Sequence, residues 1–104
     1  MIHVIAVITA KPSQREKILE AFERNVPAVR AEHGCIEYGA TVDAEDAGPM
    51  QTPYGQDTFV VIEKWADMDA LRAHAAAPHM KAYGAAIKEF IASRTIHVLS
   101  PVAD

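Results

Sequence analysis

The chain lacks several features that would place it in other classes of protein. It has a single cysteine, Cys35, so no disulfide can form within it. No apolar run approaches the roughly 20 residues of a membrane helix, and the first one, residues 4–8, has no basic flank or cleavage site of a secretory signal. Its ten Lys and Arg residues are scattered and its net charge is −4, which disfavours nucleic acid and anionic lipid as partners. We therefore expect a cytoplasmic protein with neither a nucleic-acid nor a membrane partner.

The signatures of common cofactor sites are also missing. There is no glycine-rich phosphate loop, no dinucleotide-binding fingerprint and no Ser-His-Asp arrangement. Pro78 interrupts the helical spacing that His74 and His79 would need to share a metal ion, and no cluster of cysteines or carboxylates completes such a site. We expect no bound metal and no cofactor.

What remains is the composition of a small globular protein. Half of the 104 residues are apolar and 23% are charged. This length fits one domain, spanning residues 1–104, that buries a core without disulfides or metals.

The hydrophobic pattern predicts four strands. Short segments rich in β-branched residues indicate strands over residues 2–9, 35–42, 58–65 and 95–99. Residues 44–56, which contain several glycines and prolines, are predicted to form a loop.

Helices are predicted after the first and third strands. Ser13 and Glu16 have the spacing of a capping box, and the helix they begin ends at Gly34 in a left-handed cap. Asp67 is placed to cap the second helix, which Pro78 divides into two pieces, the later one covering residues 79–91. The resulting order, β-α-β-β-α-β, is that of the ferredoxin-like α+β fold, an antiparallel sheet with its helices on one face.

The strands are apolar on both faces. In the first strand Val4 and Ile8 point to one side and Ile5 and Val7 to the other, and the third strand has the same pattern. The helices can cover only one face of the sheet. We therefore expect a homodimer in which a second subunit covers the other face.

Two stretches resemble the antibiotic-biosynthesis-monooxygenase family. Residues 63–67 (EKWAD), 70–74 (ALRAH) and 78–80 (PHM) match that family's E-x-W-x-D, A-L-x-x-H and P-H pattern. Residues 31–38 (AEHGCIEY) resemble its E-P-G-C-x-x-Y turn, with His33 in place of the proline. The resemblance implies a dimeric α/β barrel. It does not fix a reaction, because similar domains include quinol monooxygenases, polyketide oxygenases, haem-degrading enzymes and an isomerase.

The haem-degrading branch does not fit this sequence. That branch uses an Asn on the first strand and a Trp and a His on the second helical region. Residues 2–9 contain no Asn, His74 occupies the Trp position, and no His follows near Tyr83. Haem iron would therefore have no protein ligand.

The resemblance suggests roles for several side chains. His74 and His79 are the candidate catalytic bases. Trp65 and Phe59 are expected to hold an aromatic ring and Tyr83 to orient one of its oxygens, and Tyr38 is a further candidate for substrate binding. Glu63 is a further candidate for substrate binding. A carboxylate on a buried face needs a partner or a raised pKa, and we expect Glu63 to be exposed at the strand end or paired with a Lys or Arg.

The reaction that the resemblance implies is oxidation of a quinol or phenolic polyketide without a cofactor. A histidine removes a phenolic proton, the anion passes an electron to O2, and the radical pair recombines on carbon in a pocket without water. Two alternatives remain open. One is an isomerase that moves a proton within a small carbonyl compound, with Arg72 or Lys81 as an anchor if the substrate is phosphorylated. The other is a non-catalytic dimer that binds a small ligand.

Overall fold

The computed structural model describes residues 1–103 and shows a four-stranded antiparallel sheet with helices on one face. The sheet has the order β2-β3-β1-β4, so the ferredoxin-like α+β fold predicted from the sequence is confirmed. None of the helices within these residues is long and apolar enough to cross a membrane. The elements are β1 (Ile2–Ala10), α1 (Arg15–Arg30), β2 (Cys35–Thr41), β3 (Thr58–Trp65), α2 (Met68–Ala76), α3 (Pro78–Ile87) and β4 (Ile91–Leu99).

Three details differ from the sequence prediction. Ser13 has a positive φ of 67° and does not cap α1, which begins at Arg15; its backbone N–H instead donates to Asp57. The boundary between the last helix and the last strand lies earlier than predicted: α3 ends at Ile87 rather than at residue 91, and β4 begins at Ile91 rather than Thr95, because Ile91, Ser93 and Arg94 already pair with β1. Gly34 is left-handed as expected, with φ +81°, but it lies beyond the end of α1.

Gly34 is required by close packing as well as by its backbone conformation. A Cβ at this position would lie 2.6 Å from the Cβ of Ala70 on α2. The carbonyl of Gly34 also accepts a hydrogen bond from the backbone N–H of Ala66, at 2.8 Å. This contact holds the α1–β2 turn against the start of α2.

The core lies between α1 and the β2–β3–β1 part of the sheet. Ile18, Phe22 and Val29 of α1 are buried against Phe59 and Trp65 of β3. α3 packs on α1 rather than over β4. As a result, the helix-facing side of β4 remains uncovered.

Candidate functional site

A cavity occupies the space between the helices and the uncovered part of the sheet. Its volume is about 380 Å³. The strand register gives it an apolar floor, because Ala6 of β1 pairs with Val61 of β3 and with Ile96 of β4. Helices α2 and α3 supply the opposite wall. The side chains that argue for a site here are Tyr38, Glu63, His74, Lys81, Tyr83 and Arg94.

His74 reaches the cavity because of the way α2 is anchored. The side chain of Asp67 accepts a hydrogen bond from the backbone N–H of Ala70, at 2.8 Å, so the predicted cap is confirmed. The helix then turns Leu71 and His74 towards the sheet. His74 is only 5% exposed, and its ring lies against Trp65 with the ring centroids 4.6 Å apart.

Glu32 holds both candidate catalytic histidines. Nδ1 of His74 lies 2.8 Å from Oε2 of Glu32, and Nε2 of His79 lies 2.7 Å from Oε1 of the same carboxylate. An ionised carboxylate only accepts, so both nitrogens donate to it. The bond fixes the tautomer of neutral His74 and leaves its Nε2 as the basic nitrogen, on the side of Glu63.

His79 binds the same Glu32 carboxylate but lies outside the cavity. It lines a surface groove with Glu32 and His74, but it is not among the residues that line the cavity. Its Nδ1 is buried and has no hydrogen-bond partner among the described residues. Of the two candidate bases, the structure therefore brings only His74 to the cavity.

Glu63 is buried at the cavity floor rather than exposed or paired with a Lys or Arg. Its Oε1 accepts a hydrogen bond from Nε1 of Trp65 at 2.9 Å, and Nε2 of His74 lies 3.9 Å from the same oxygen. Burial raises the pKa of the Glu63 carboxyl, and the Trp65 N–H and His74 oppose that shift only in part.

Aromatic side chains form one end of the cavity. Tyr38 stacks on Phe22 with centroids 5.1 Å apart, and Tyr83 meets the same Phe22 ring edge-on at 6.1 Å. Burial raises the pKa of Tyr83 to about 12, with Arg94 acting in the opposite direction. Burial also raises the pKa of Tyr38. Both phenols therefore keep their protons near neutral pH and can donate hydrogen bonds.

Trp65 and Phe59 are not positioned to hold a substrate ring directly. Both are completely buried, and neither lines the cavity of His74. They are core residues because β3 is an interior strand, paired with β2 on one side and β1 on the other. Trp65 acts indirectly, through its hydrogen bond to Glu63 and its contact with the His74 ring.

The loop between β2 and β3 also lies away from this cavity. The carboxylate of Asp43 accepts hydrogen bonds from the backbone N–H groups of Tyr54 and Gly55, at 3.0 and 2.8 Å. Tyr54 lines a separate small pocket with Phe59. Among residues 1–103, no group of three His, Cys, Asp or Glu side chains is arranged to hold a metal ion.

Glu32 is the site residue that the sequence did not single out. It follows α1 and precedes the Gly34 turn, far along the chain from the histidines. Only the packing of that turn on α2, through Gly34 and Ala70, brings the carboxylate to the two imidazoles. The one available signal was its place in the family's turn motif, at residues 31–38.

Comparison with known proteins identifies the family. The model of the family described as antibiotic biosynthesis monooxygenase matches residues 1–86, and the chain belongs to that family. A relative from Escherichia coli (strain K12), named probable quinol monooxygenase YgiN, is 39% identical over 103 residues, covering 97% of this chain and 98% of its own.

Solved structures agree with this assignment. PA3566 from Pseudomonas aeruginosa superposes with a TM-score of 0.79 at 27% identity, covering 98% of this chain and 94% of its own. Rv0793 from Mycobacterium tuberculosis has the same fold, with a TM-score of 0.79 at 24% identity over 99% of this chain and 96% of its own. The likeness in fold therefore extends over nearly the whole length of the chain.

Proposed function

We propose that this protein is a cofactor-independent monooxygenase that oxidises a small electron-rich aromatic compound, such as a quinol or phenolic polyketide, with O2. The observation that carries the proposal is the placement of His74, whose Nδ1 is held by Glu32 while its Nε2 lies on the side of the cavity. The E. coli relative's name, probable quinol monooxygenase, supports the same reaction class.

The geometry suits removal of a phenolic proton. His74 accepts the proton at Nε2, and the Glu32 carboxylate stabilises the imidazolium that forms. The resulting phenolate is electron-rich enough to pass one electron to O2. The apolar floor keeps water away while the radical pair combines on carbon.

The cavity also limits the substrate. Its volume of about 380 Å³ lies at the lower end of the range for small-molecule sites, roughly 300–1,000 Å³, and suits a compound of one or a few fused rings. Tyr38 and Tyr83 present hydroxyl donors to a substrate oxygen, and the Phe22 ring behind them adds an aromatic wall.

Oxygen uptake by the metal-stripped protein tests the proposal. We expect enzyme-dependent O2 consumption with at least one member of a panel of hydroquinones and anthrones, after subtraction of autoxidation. His74→Gln should lower kcat by about 10²- to 10⁴-fold, because general-base catalysis is lost. His79→Gln should have a smaller effect, since it removes one of the two hydrogen bonds to Glu32.

His33→Gln is the matched control, because His33 is an exposed histidine next to Glu32 with no hydrogen bond to it among the described residues. It should keep full activity. Full turnover in His74→Gln would show that the proposed base is wrong.

We further propose that the protein works as a homodimer through the helix-free face of the sheet. Ile5, Val7, Val60 and Ile62 are adjacent on this face by register and only half-buried. Leu99, on the same face of β4, is 49% exposed. Sedimentation should give the mass of two chains for the native protein and of one chain for Ile62→Asp.

Proton transfer within a carbonyl compound is the second candidate. Arg94 and Lys81 line the cavity and could hold an anionic substrate, whereas Arg72 pairs with Asp69 at the surface. This isomerase would turn over its substrate without consuming O2. The oxygen electrode therefore separates the two candidates.

A further inference from the structure

We infer that Glu63 is a second catalytic residue, a general acid that works opposite the base His74 and donates its proton to the outer oxygen of the peroxide formed when O2 adds to the substrate. This inference rests on the proposed monooxygenase function. It assigns to Glu63 a chemical step, whereas the sequence suggested only a binding contact.

The placement of Glu63 relative to His74 is the first argument. The 3.9 Å between Glu63 Oε1 and His74 Nε2 is too long for a direct hydrogen bond. One substrate oxygen can nevertheless lie between His74 Nε2 and the Glu63 carboxyl, because both residues line the same cavity. The two groups thus converge on one reacting position from the sheet and from α2.

Trp65 fixes the orientation of the Glu63 carboxyl. Its Nε1–H donates to Oε1. Because Trp65 is completely buried, this hydrogen bond anchors the Glu63 side chain to the core. No hydrogen bond to Oε2 of Glu63 is present among the described residues. That oxygen is therefore free to carry a proton for a ligand in the cavity.

The surroundings of Glu63 shift its carboxyl towards the protonated form. The residue is only 7% exposed, and burial raises the pKa of its carboxyl, with the negative Glu32 adding to the shift and the nearby His74 opposing it. Two neighbouring titratable groups in different environments can have different pKa values, so that one acts as an acid and the other as a base at the same pH. The other titratable or charged groups that line the same cavity are Tyr38 of β2, Lys81 and Tyr83 of α3, and Arg94 of β4.

The step balances with O2 as the only co-reactant. His74 takes a proton from the substrate, and the substrate anion and O2 form a carbon–oxygen bond, which gives a peroxide anion. Glu63 donates its proton to the outer peroxide oxygen, so that a hydroperoxide and a Glu63 carboxylate result. The proton that His74 took from the substrate then passes to Glu63 through the substrate oxygen that lies between the two side chains. The hydroperoxide loses water, formed from its outer O–H and the hydrogen of the same carbon, and leaves a carbonyl.

Glu63→Gln is the decisive variant, because the glutamine amide can keep the Trp65 hydrogen bond and donate one to the substrate but cannot release a proton. We expect KM to stay within about twofold and kcat to fall by about 10²-fold or more. In the native enzyme kcat should fall at high pH as Glu63 ionises, and this limb should vanish in Glu63→Gln. Glu37→Gln, an exposed carboxylate that pairs with Lys64, is the control and should behave as the native enzyme.

Infrared difference spectra of the substrate-free protein give an independent measurement. The carbonyl band of a protonated carboxylic acid should be present at neutral pH and disappear in Glu63→Gln. A missing band, or a Glu63→Gln enzyme with native kcat and an unchanged high-pH limb, would overturn the inference. A native protein that has this band but consumes no O2 would instead overturn the proposed function, and with it the peroxide step, so the two failures are distinguishable.

Discussion

The two halves of the helix-facing side of the sheet differ sharply. On the interior strand β3, Phe59 and Trp65 are completely buried. On β4, Ile96 and Val98 face the same side but are 51% and 48% exposed. Both strands have apolar residues at these positions. One half therefore supplies stability, while the other leaves an apolar surface available to a ligand.

His74 and Glu63 stand at the boundary between these halves. Each is buried like a core residue and yet lines the cavity. Core packing therefore fixes the orientation of two polar side chains that line the cavity, which is the arrangement that the proposed function requires. Three sets of substitutions test this difference between the two halves and the role of the residues between them.

The largest expected effect comes from truncating the covered half. Phe59→Ala should lower the free energy of unfolding by about 3–5 kcal/mol, because it leaves a cavity in a fully packed core. Val98→Ala, on the open half, should cost about 1 kcal/mol or less. Denaturant midpoints of the two variants give the comparison directly. Equal losses would show that β4 is as well packed as β3.

A smaller effect is expected at the contact between the α1–β2 turn, which carries Glu32, and α2, which carries His74. Gly34→Ala places a Cβ 2.6 Å from that of Ala70 and forces alanine into a left-handed conformation. We expect a loss of about 1–3 kcal/mol in the free energy of unfolding. Because the same contact positions Glu32 against His74, turnover should fall as well. Gly55→Ala, also left-handed but with open space around its Cβ position, separates backbone strain from the clash.

The smallest effect is a pH dependence of stability. The pKa of the buried Glu63 carboxyl is raised above its ordinary value of 4.5, so the native state holds this proton more tightly than the unfolded chain. The contribution is fully present below the ordinary pKa and is lost as pH rises through the raised pKa. The slope cannot exceed about 1.4 kcal/mol per pH unit, the value for one proton. Glu63→Gln should remove this slope from unfolding curves measured between pH 4 and 8.

Much of the fold could be predicted because it depends on local patterns. β-branched runs located the strands, and Asp67 and Pro78 located the starts of α2 and α3. The capping box at Ser13 was wrong because a tertiary hydrogen bond to Asp57 holds that residue outside the helix. Such a competing partner is not visible in local sequence.

The site was less predictable because it depends on contacts between distant segments. His74, Glu63, Tyr38 and Tyr83, which were proposed from the sequence as site residues, line one cavity. Trp65 and Phe59 do not line it, since side-chain type does not distinguish a cavity wall from a core. Glu32 was missed because its role follows from the packing of the α1–β2 turn on α2.

The central claim is that this chain inserts oxygen into an aromatic substrate by its own residues. Turnover of a substrate identified in the oxygen electrode, repeated with isotopically labelled O2 and the metal-stripped protein, tests it most directly. We predict that mass spectrometry finds one labelled atom in the product and the other in water, and that His74→Gln abolishes the labelling. A product that forms at the same rate without O2, or that carries no label, would contradict the account.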